Sequence, residues 1–321
     1  RRSGNLFESL PFLERAEQVS SQSKNATGYT YCKGLFEWYN GNLNDALRFF
    51  NMSRRDHMCS QQAKLNMIEI CLNPDGDIPS ANDLLEAGDS GEFSESRLIA
   101  LRTAERLLKE LGPRPGETYE NIITRRIYWN FYQMASKQKV QVELALKDLT
   151  ELLESDGHQL MVTISYATAL ALVQLKQIQR AKNHLKRIAR LNWNYEEAEY
   201  LERSWLLLSD IYIHVNKLDI AETFVDRVLE YNKSSTKAYE LAGYIAEKLQ
   251  SYGDAVKHYQ KAWNSCGHLK PHIGYKLALN FMKKKQFPDA VNVCQQVLKL
   301  HPDYNIIRKD ILEKCRSNLR T

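Results

Sequence analysis

Apolar residues recur along most of this chain at helical spacing, with one buried stripe per segment and polar residues between. The clearest stretch runs from Glu202 to Ser235. Counting Glu202 as one, Trp205, Leu208, Ser209, Tyr212, Ala221, Val225 and Val228 fall at positions 4, 7, 8, 11, 20, 24 and 27 of a 34-residue unit. The spacing predicts two antiparallel helices. Small residues at 8 and 20 let them approach closely, and large residues around that contact fill the remaining space. One such pair cannot bury its apolar face alone, so it must stack on copies of itself.

Setting an alanine at position 20 finds the copies. Thr236 to Leu269 carries Tyr239, Ala242, Gly243, Ala255, Tyr259 and Ala262 at 4, 7, 8, 20, 24 and 27. Pro271 to Tyr304 carries Leu277, Ala278, Phe281, Ala290, Cys294 and Val297 at 7, 8, 11, 20, 24 and 27. Upstream, Val162 to Tyr195 has Ala169, Ala181, Leu185 and Ile188, and Arg126 to Gln159 has Trp129, Tyr132, Ala145, Leu149 and Leu152 at matching places. Thr27 to Ser60 has Gly34, Ala46 and Phe50. This is the tetratricopeptide pattern. It predicts an all-α fold, a right-handed superhelical α-solenoid spanning 1–321 as one domain. The repeats are 27–60, 61–111, 126–159, 162–195, 202–235, 236–269 and 271–304.

The second repeat is split. Lys64, Met67, Ile68 and Cys71 mark its first helix, Asn73-Pro-Asp-Gly breaks it, and Leu98, Leu101, Ala104, Leu108 and Leu111 mark the second, leaving an insert near 74–93. After Pro302, Ile307, Ile311, Cys315 and Leu319 form an apolar stripe opposite Arg308, Lys309, Glu313, Lys314 and Arg316, as a C-terminal capping helix over 305–320 requires. The first helix, around Pro11, Phe12, Leu13, Ala16 and Val19, reads as the second half of a repeat whose first half is missing, which predicts a fragment of a longer protein with a native C-terminus.

Composition adds little chemistry. The formal charge of +5 on 321 residues demands neither nucleic acid nor an anionic membrane. No apolar run is long enough to be a transmembrane segment. Six cysteines without a C-x-x-C pair, several at core positions, predict reduced thiols and a reducing, cytosolic compartment. Gly88-Asp-Ser-Gly91 has the letters of a serine nucleophile motif but sits in the insert, without a rigid scaffold to place a His and a carboxylate. Asn73, Asp75 and Asp77 start like a calcium loop, but Ile78 and Leu84 occupy its glycine and glutamate positions. Cys266, His268 and His272 lack a fourth zinc ligand. The sequence predicts no catalytic, cofactor-binding or metal site, and therefore no enzyme. Lys283 to Lys285 and the row Lys182, Lys186, Arg187 and Arg190 could meet phosphate or an acidic partner, although a solvated outer face accounts for them more simply.

Solenoids of this kind bind along positions 2, 5, 9 and 12 of their first helices. Here positions 5 and 9 are Tyr166 and Leu170, Leu206 and Asp210, Glu240 and Tyr244, then Tyr275 and Leu279. A lining so rich in aromatic and aliphatic groups suits a partner's helix or extended segment with apolar anchors. Tyr166, Leu206, Tyr244 and Tyr275 are the candidate partner-binding residues.

Two stretches are more particular than the repeat template. They are Tyr31-Cys-Lys-Gly-Leu-Phe-Glu-Trp-Tyr39 with Asn44-Asp-Ala-Leu-Arg-Phe-Phe50, and His301-Pro-Asp-Tyr304 with Ile307-Arg-Lys-Asp-Ile-Leu312. With the split repeat between them, they resemble the C-terminal part of the large tetratricopeptide subunit of intraflagellar transport complex A. The resemblance covers essentially the whole chain. It implies a non-catalytic scaffold in retrograde ciliary transport and ciliary cargo entry, found in the cytoplasm, the cilium and the ciliary base. It implies as partners the complex A subunits that combine WD-repeat propellers with helical repeats, and a small, largely unfolded subunit. It brings no nucleic acid, no cofactor and no short binding motif. A generic cytosolic adaptor of another assembly would share the fold.

Overall fold

The computed structural model describes residues 2–19, 26–55, 58–73, 95–113, 116–155 and 160–320. Among these residues there are 16 α-helices and no strand. The chain divides into two compact units, Leu6–Ile211 and Tyr212–Thr321, the second including Arg1–Asn5. In that unit the Lys233 amide donates to the Arg2 carbonyl at 2.9 Å.

The N-terminal unit is built of helix pairs: Thr27–Tyr39 with Leu43–Ser53, Ser60–Leu72 with Glu95–Glu110, Tyr119–Ala135 with Lys139–Glu154, and Met161–Gln174 with Ile178–Ile188. Helix Ala198–His214 begins there. The four residues Ala198 to Leu201, ahead of the repeat's position one, supply its first turn. The helix Leu10–Val19 buries no residue, and Phe12 and Val19 are exposed. The C-terminal unit holds Leu218–Tyr231, then the pairs Thr236–Lys248 with Tyr252–Ser265 and Pro271–Lys283 with Phe287–Leu300. It ends in a π turn at Arg308–Leu312 that runs into Glu313–Arg320. The insert near 74–93, with Gly88–Gly91, Asp75 and Asp77, lies outside the described residues.

The packing follows the 34-residue spacing. All six position-20 alanines (Ala46, Ala145, Ala181, Ala221, Ala255 and Ala290) have no exposed surface. Position 8 meets position 24 directly: a Cβ on Gly34 would lie 2.9 Å from the Phe50 ring, and one on Gly243 the same distance from Tyr259. Gly274 extends the same logic across a repeat boundary, because a Cβ there would collide with Val297 of its own repeat and press on Trp263 of the one before. Trp263 and Tyr259 are fully buried, in one continuous core with Leu277, Ala278, Cys294 and the cap residues Ile307, Ile311 and Cys315. Burial pushes the Cys294 thiol up to about 12, so it packs as a protonated, inert side chain. Leu319 is 51% exposed; the apolar stripe outruns the core it seals.

The turn inside each pair is also repeated. Gly41, Lys176, Asn216, Gln250 and Lys285 all have φ between 54° and 91°, each five residues before its position-20 alanine. A left-handed residue at this point lets the next amide reach back to the carbonyls of the last helical turn, as the Ser251 amide does to Ala246 at 2.9 Å. The repeat 126–159 departs from the rule. Its left-handed residue, Lys137, precedes Ala145 by eight residues rather than five. Its first helix accordingly turns another face inward, burying Ile123, Ile127, Asn130 and Met134, and Trp129 is left 36% exposed at a template core position.

Candidate functional site

The first helices carry the lining positions, and the two units treat them differently. In the N-terminal unit, first helices from four repeats converge on one cluster. Arg203, at position 2 of its repeat, pairs with Glu69 on Ser60–Leu72, 134 residues earlier. It also lies 3.5 Å from Glu199 and over the Tyr200 ring at 5.3 Å. Tyr200 stacks on Phe131 with the ring planes 3° apart and meets Tyr166 at 5.9 Å. Tyr128 hydrogen-bonds to Tyr200. Burial pushes the Tyr200 phenol well above its ordinary value, and the Glu69 charge adds to it. Burial works against the charged form of Arg203, yet Glu69 and Glu199 hold the guanidinium firmly protonated. The cluster is an ion pair sheathed in rings.

It corrects two of the four sequence candidates. Tyr166 is 3% exposed and Leu206 is 1% exposed, so both serve the chain's own packing and offer a partner no surface. The cause is crowding: side chains of several first helices fill the space along which a ligand would lie.

The C-terminal unit keeps its lining polar and half open. Glu240 accepts from Lys276 at 2.7 Å and from Lys237 at 3.3 Å, with His272 at 3.9 Å. Burial opposes its ionised form, but the two lysines and the histidine override this and hold its carboxyl down at about 2. Two turns further, Glu247 accepts from Lys283 at 2.7 Å and from Asn280 and Tyr259 at 3.3 Å. Tyr244 is half-buried, flanked by Lys248 at 5.3 Å and Lys276 at 5.7 Å from its ring centre. Such cation–π contacts hold an aromatic face in place while leaving part of it wet. Tyr275 is half-buried too. Its hydroxyl donates to Asp310 at 3.2 Å, and its ring meets Tyr304 edge-on. The structure thus leaves Tyr244 and Tyr275 reachable, among charges that the aromatic reading of the lining had not included. Lys237 and Lys276 complete it, with the fully buried Asn280 beneath.

Cys266, His268 and His272 do not converge. The Cys266 thiol donates to the Trp263 carbonyl, the His268 ring packs on Trp263, and His272 faces Glu240. Among the described residues no three His, Cys, Asp or Glu side chains are grouped to hold a metal ion, and no helix is long and apolar enough to cross a membrane. An open hollow of about 430 Å³ lies against the exposed Trp129, with Ile122, Leu144 and the Arg126–Asp148 pair on its walls.

Residues 103–316 match the family model described as the Tetratricopeptide repeat protein 21 C-terminal ARM domain, and residues 1–72 match the TT21 fifth ARM repeats domain. The chain belongs to the tetratricopeptide repeat protein 21 family. This is the family to which its two distinctive ends pointed. Tetratricopeptide repeat protein 21B of Homo sapiens is 47% identical over the whole chain, and the Caenorhabditis elegans tetratricopeptide repeat protein 21 homolog is 36% identical. The chain spans about a quarter of the length of these curated relatives, 24% in each case. A looser likeness is to YrrB, described as a TPR protein with an unusual peptide-binding site: TM-score 0.44 and 16% identity, over 60% of this chain and 97% of that one. The tetratricopeptide repeat protein 21 relatives are helical-repeat proteins, and no catalytic family is indicated.

Proposed function

We propose that this chain is a non-catalytic scaffold segment of an intraflagellar transport complex A subunit, supporting retrograde ciliary transport and cargo entry. Membership of the tetratricopeptide repeat protein 21 family is the observation that supports the reading. The expected partners are the WD-repeat subunits of that complex and its small, largely unfolded subunit. The expected location is the cytoplasm, the cilium and the ciliary base. Within the chain, the half-open lining around Tyr244 and Tyr275 is the proposed contact surface. It offers two aromatic anchors among fixed charges, which suits a partner segment of mixed apolar and polar character.

Affinity purification of the tagged protein from ciliated cells, followed by identification of stoichiometric partners, tests this. Recovery of WD-repeat complex A subunits is the expected result. A different stable set of partners would leave the solenoid standing as a general adaptor and sink the ciliary assignment.

A further inference from the structure

The chain's surplus of positive charge is local. Between Val162 and Tyr195 stand Lys176, Arg180, Lys182, Lys186, Arg187 and Arg190, with no Asp or Glu at all. That repeat therefore carries +6 while the whole chain carries +5, so everything else sums to −1. The structure concentrates this charge further. Ala181, Leu185 and Ile188 turn the helix Ile178–Ile188 inward, and they are fully buried or nearly so. Arg180, Asn183 and Arg187 follow each other at three- and four-residue steps on the opposite side, Arg190 continues the row past the helix end, and Lys186 flanks it. All five are exposed. The row from Arg180 to Arg190 is roughly 15 Å long at helical rise.

Pairing separates this row from other cations of the molecule. Arg54 pairs with Glu110, Lys109 with Glu105, Arg126 with Asp148, and Lys257 with Asp254. Among the described residues, Arg180, Lys186, Arg187 and Arg190 form no ion pair with any carboxylate. Arg180 reaches only the Gln177 side chain, at 2.6 Å. His184 lies beside the row. Burial first, then the charges of Arg187 and Arg180, hold its imidazole below the ordinary value. The row is thus a set of unneutralised, mostly guanidinium charges fixed on a rigid helix. Guanidinium groups match carboxylates with two parallel hydrogen bonds.

We propose that the outer face of helix Ile178–Ile188 is a docking surface for an acidic peptide segment of a partner protein. The width of the feature selects this occupant over an anionic membrane. The row is one helix wide. The second helix of the preceding repeat, Lys139–Glu154, exposes Glu143, Glu151 and Glu154, and Glu196 follows Tyr195 directly. A flat anionic bilayer would meet those carboxylates together with the arginines. A single acidic helix or strand laid along the row would not. The inference does not depend on which assembly the protein serves.

The test uses a fluorescein-labelled helical peptide with glutamate at i, i+3, i+7 and i+10, titrated with the protein at low and moderate salt. Saturable binding that weakens as salt rises is expected. The double reversal Arg180→Glu with Arg187→Glu should weaken it at least tenfold. The control Lys284→Glu with Lys285→Glu changes net charge by the same amount on another exposed turn and should weaken it no more than two- to threefold. Arg180→Gln with Arg187→Gln serves as a milder second variant, and all four sites are exposed. Equal losses from stripe and control would reduce the effect to net charge and overturn the proposal. So would binding to phosphatidylserine vesicles with none to the peptide, which would assign the surface to lipid. Failure here would leave the scaffold reading untouched, since that rests on the partners recovered from cells.

Discussion

The first-helix faces of the two units began from one template and reached opposite ends. In Leu6–Ile211, Arg203 and Glu69 close an ion pair across several repeats, and Tyr128, Phe131, Tyr166 and Tyr200 pack around it. In Tyr212–Thr321, Glu240 and Glu247 bind lysines of their own or the next first helix, and Tyr244 remains half-exposed. The reach of the ionic contacts separates them. Pairs confined to neighbouring repeats leave a surface between them, whereas a pair that skips repeats fills that surface. A solenoid can therefore leave its first-helix face open along one part of its length and use the equivalent positions elsewhere as core.

The comparison can be broken by substitution. Trp205→Ala, at a site 1% exposed, should cost about 3–5 kcal/mol in denaturant unfolding. The pair Tyr244→Ala with Tyr275→Ala should weaken partner binding and keep helix content. If it melts the protein as badly as Trp205→Ala, the second lining is core as well. Arg203→Met strands Glu69 in a setting only 19% exposed and should cost about 3 kcal/mol, most of it recovered by adding Glu69→Leu. A single change that costs nothing would show that the rings alone hold the cluster.

Acid should separate the units more gently. A carboxylate held at about 2 in the folded state contributes stability above its unfolded value of 4.5, and loses it as pH falls from there through 2. Glu240 therefore predicts roughly 2 kcal/mol of acid sensitivity in the C-terminal unit, which Glu240→Gln should flatten in a pH series of melts. Hydrogen exchange localised to 212–321 would register it. The smallest effect concerns the turns. Gln250 has φ of 60° without being glycine, so Gln250→Gly should stabilise by about 0.5 kcal/mol, relief of strain partly offset by chain entropy. Destabilisation would mean the glutamine side chain contributes more than its backbone costs.

Small residues opposite large ones at fixed spacing made the helix pairs legible, because Gly34 against Phe50 and Gly243 against Tyr259 are contacts within one repeat. The same count placed Tyr244 and Tyr275 on the first-helix face, where the structure has them half-buried. Arg203 with Glu69 was not legible. Nothing local in the sequence says that two residues 134 apart will pair, and without that pair Tyr166 and Leu206 look like groove. Trp129 was misplaced by a turn three residues longer than its siblings, which rotated the helix beneath a pattern that still counted correctly. Apart from Gly41, the left-handed turns were hidden because lysine, asparagine and glutamine fill a position where glycine would have announced it.

The Arg203–Glu69 pair also sets an order of events in time. A stack that touches only its neighbours can grow from either end, one repeat upon the last, with every contact local in sequence. This pair cannot form until every repeat between its partners exists. On a ribosome, Glu69 waits for 134 more residues before Arg203 is made, a delay on the order of ten seconds at ordinary synthesis rates. Until then the carboxylate and the rings around it stand uncovered, and the early helices can still be remodelled or held by a chaperone. Closure marks the moment at which the first helices between Glu69 and Arg203 stop being separate additions and become one locked run.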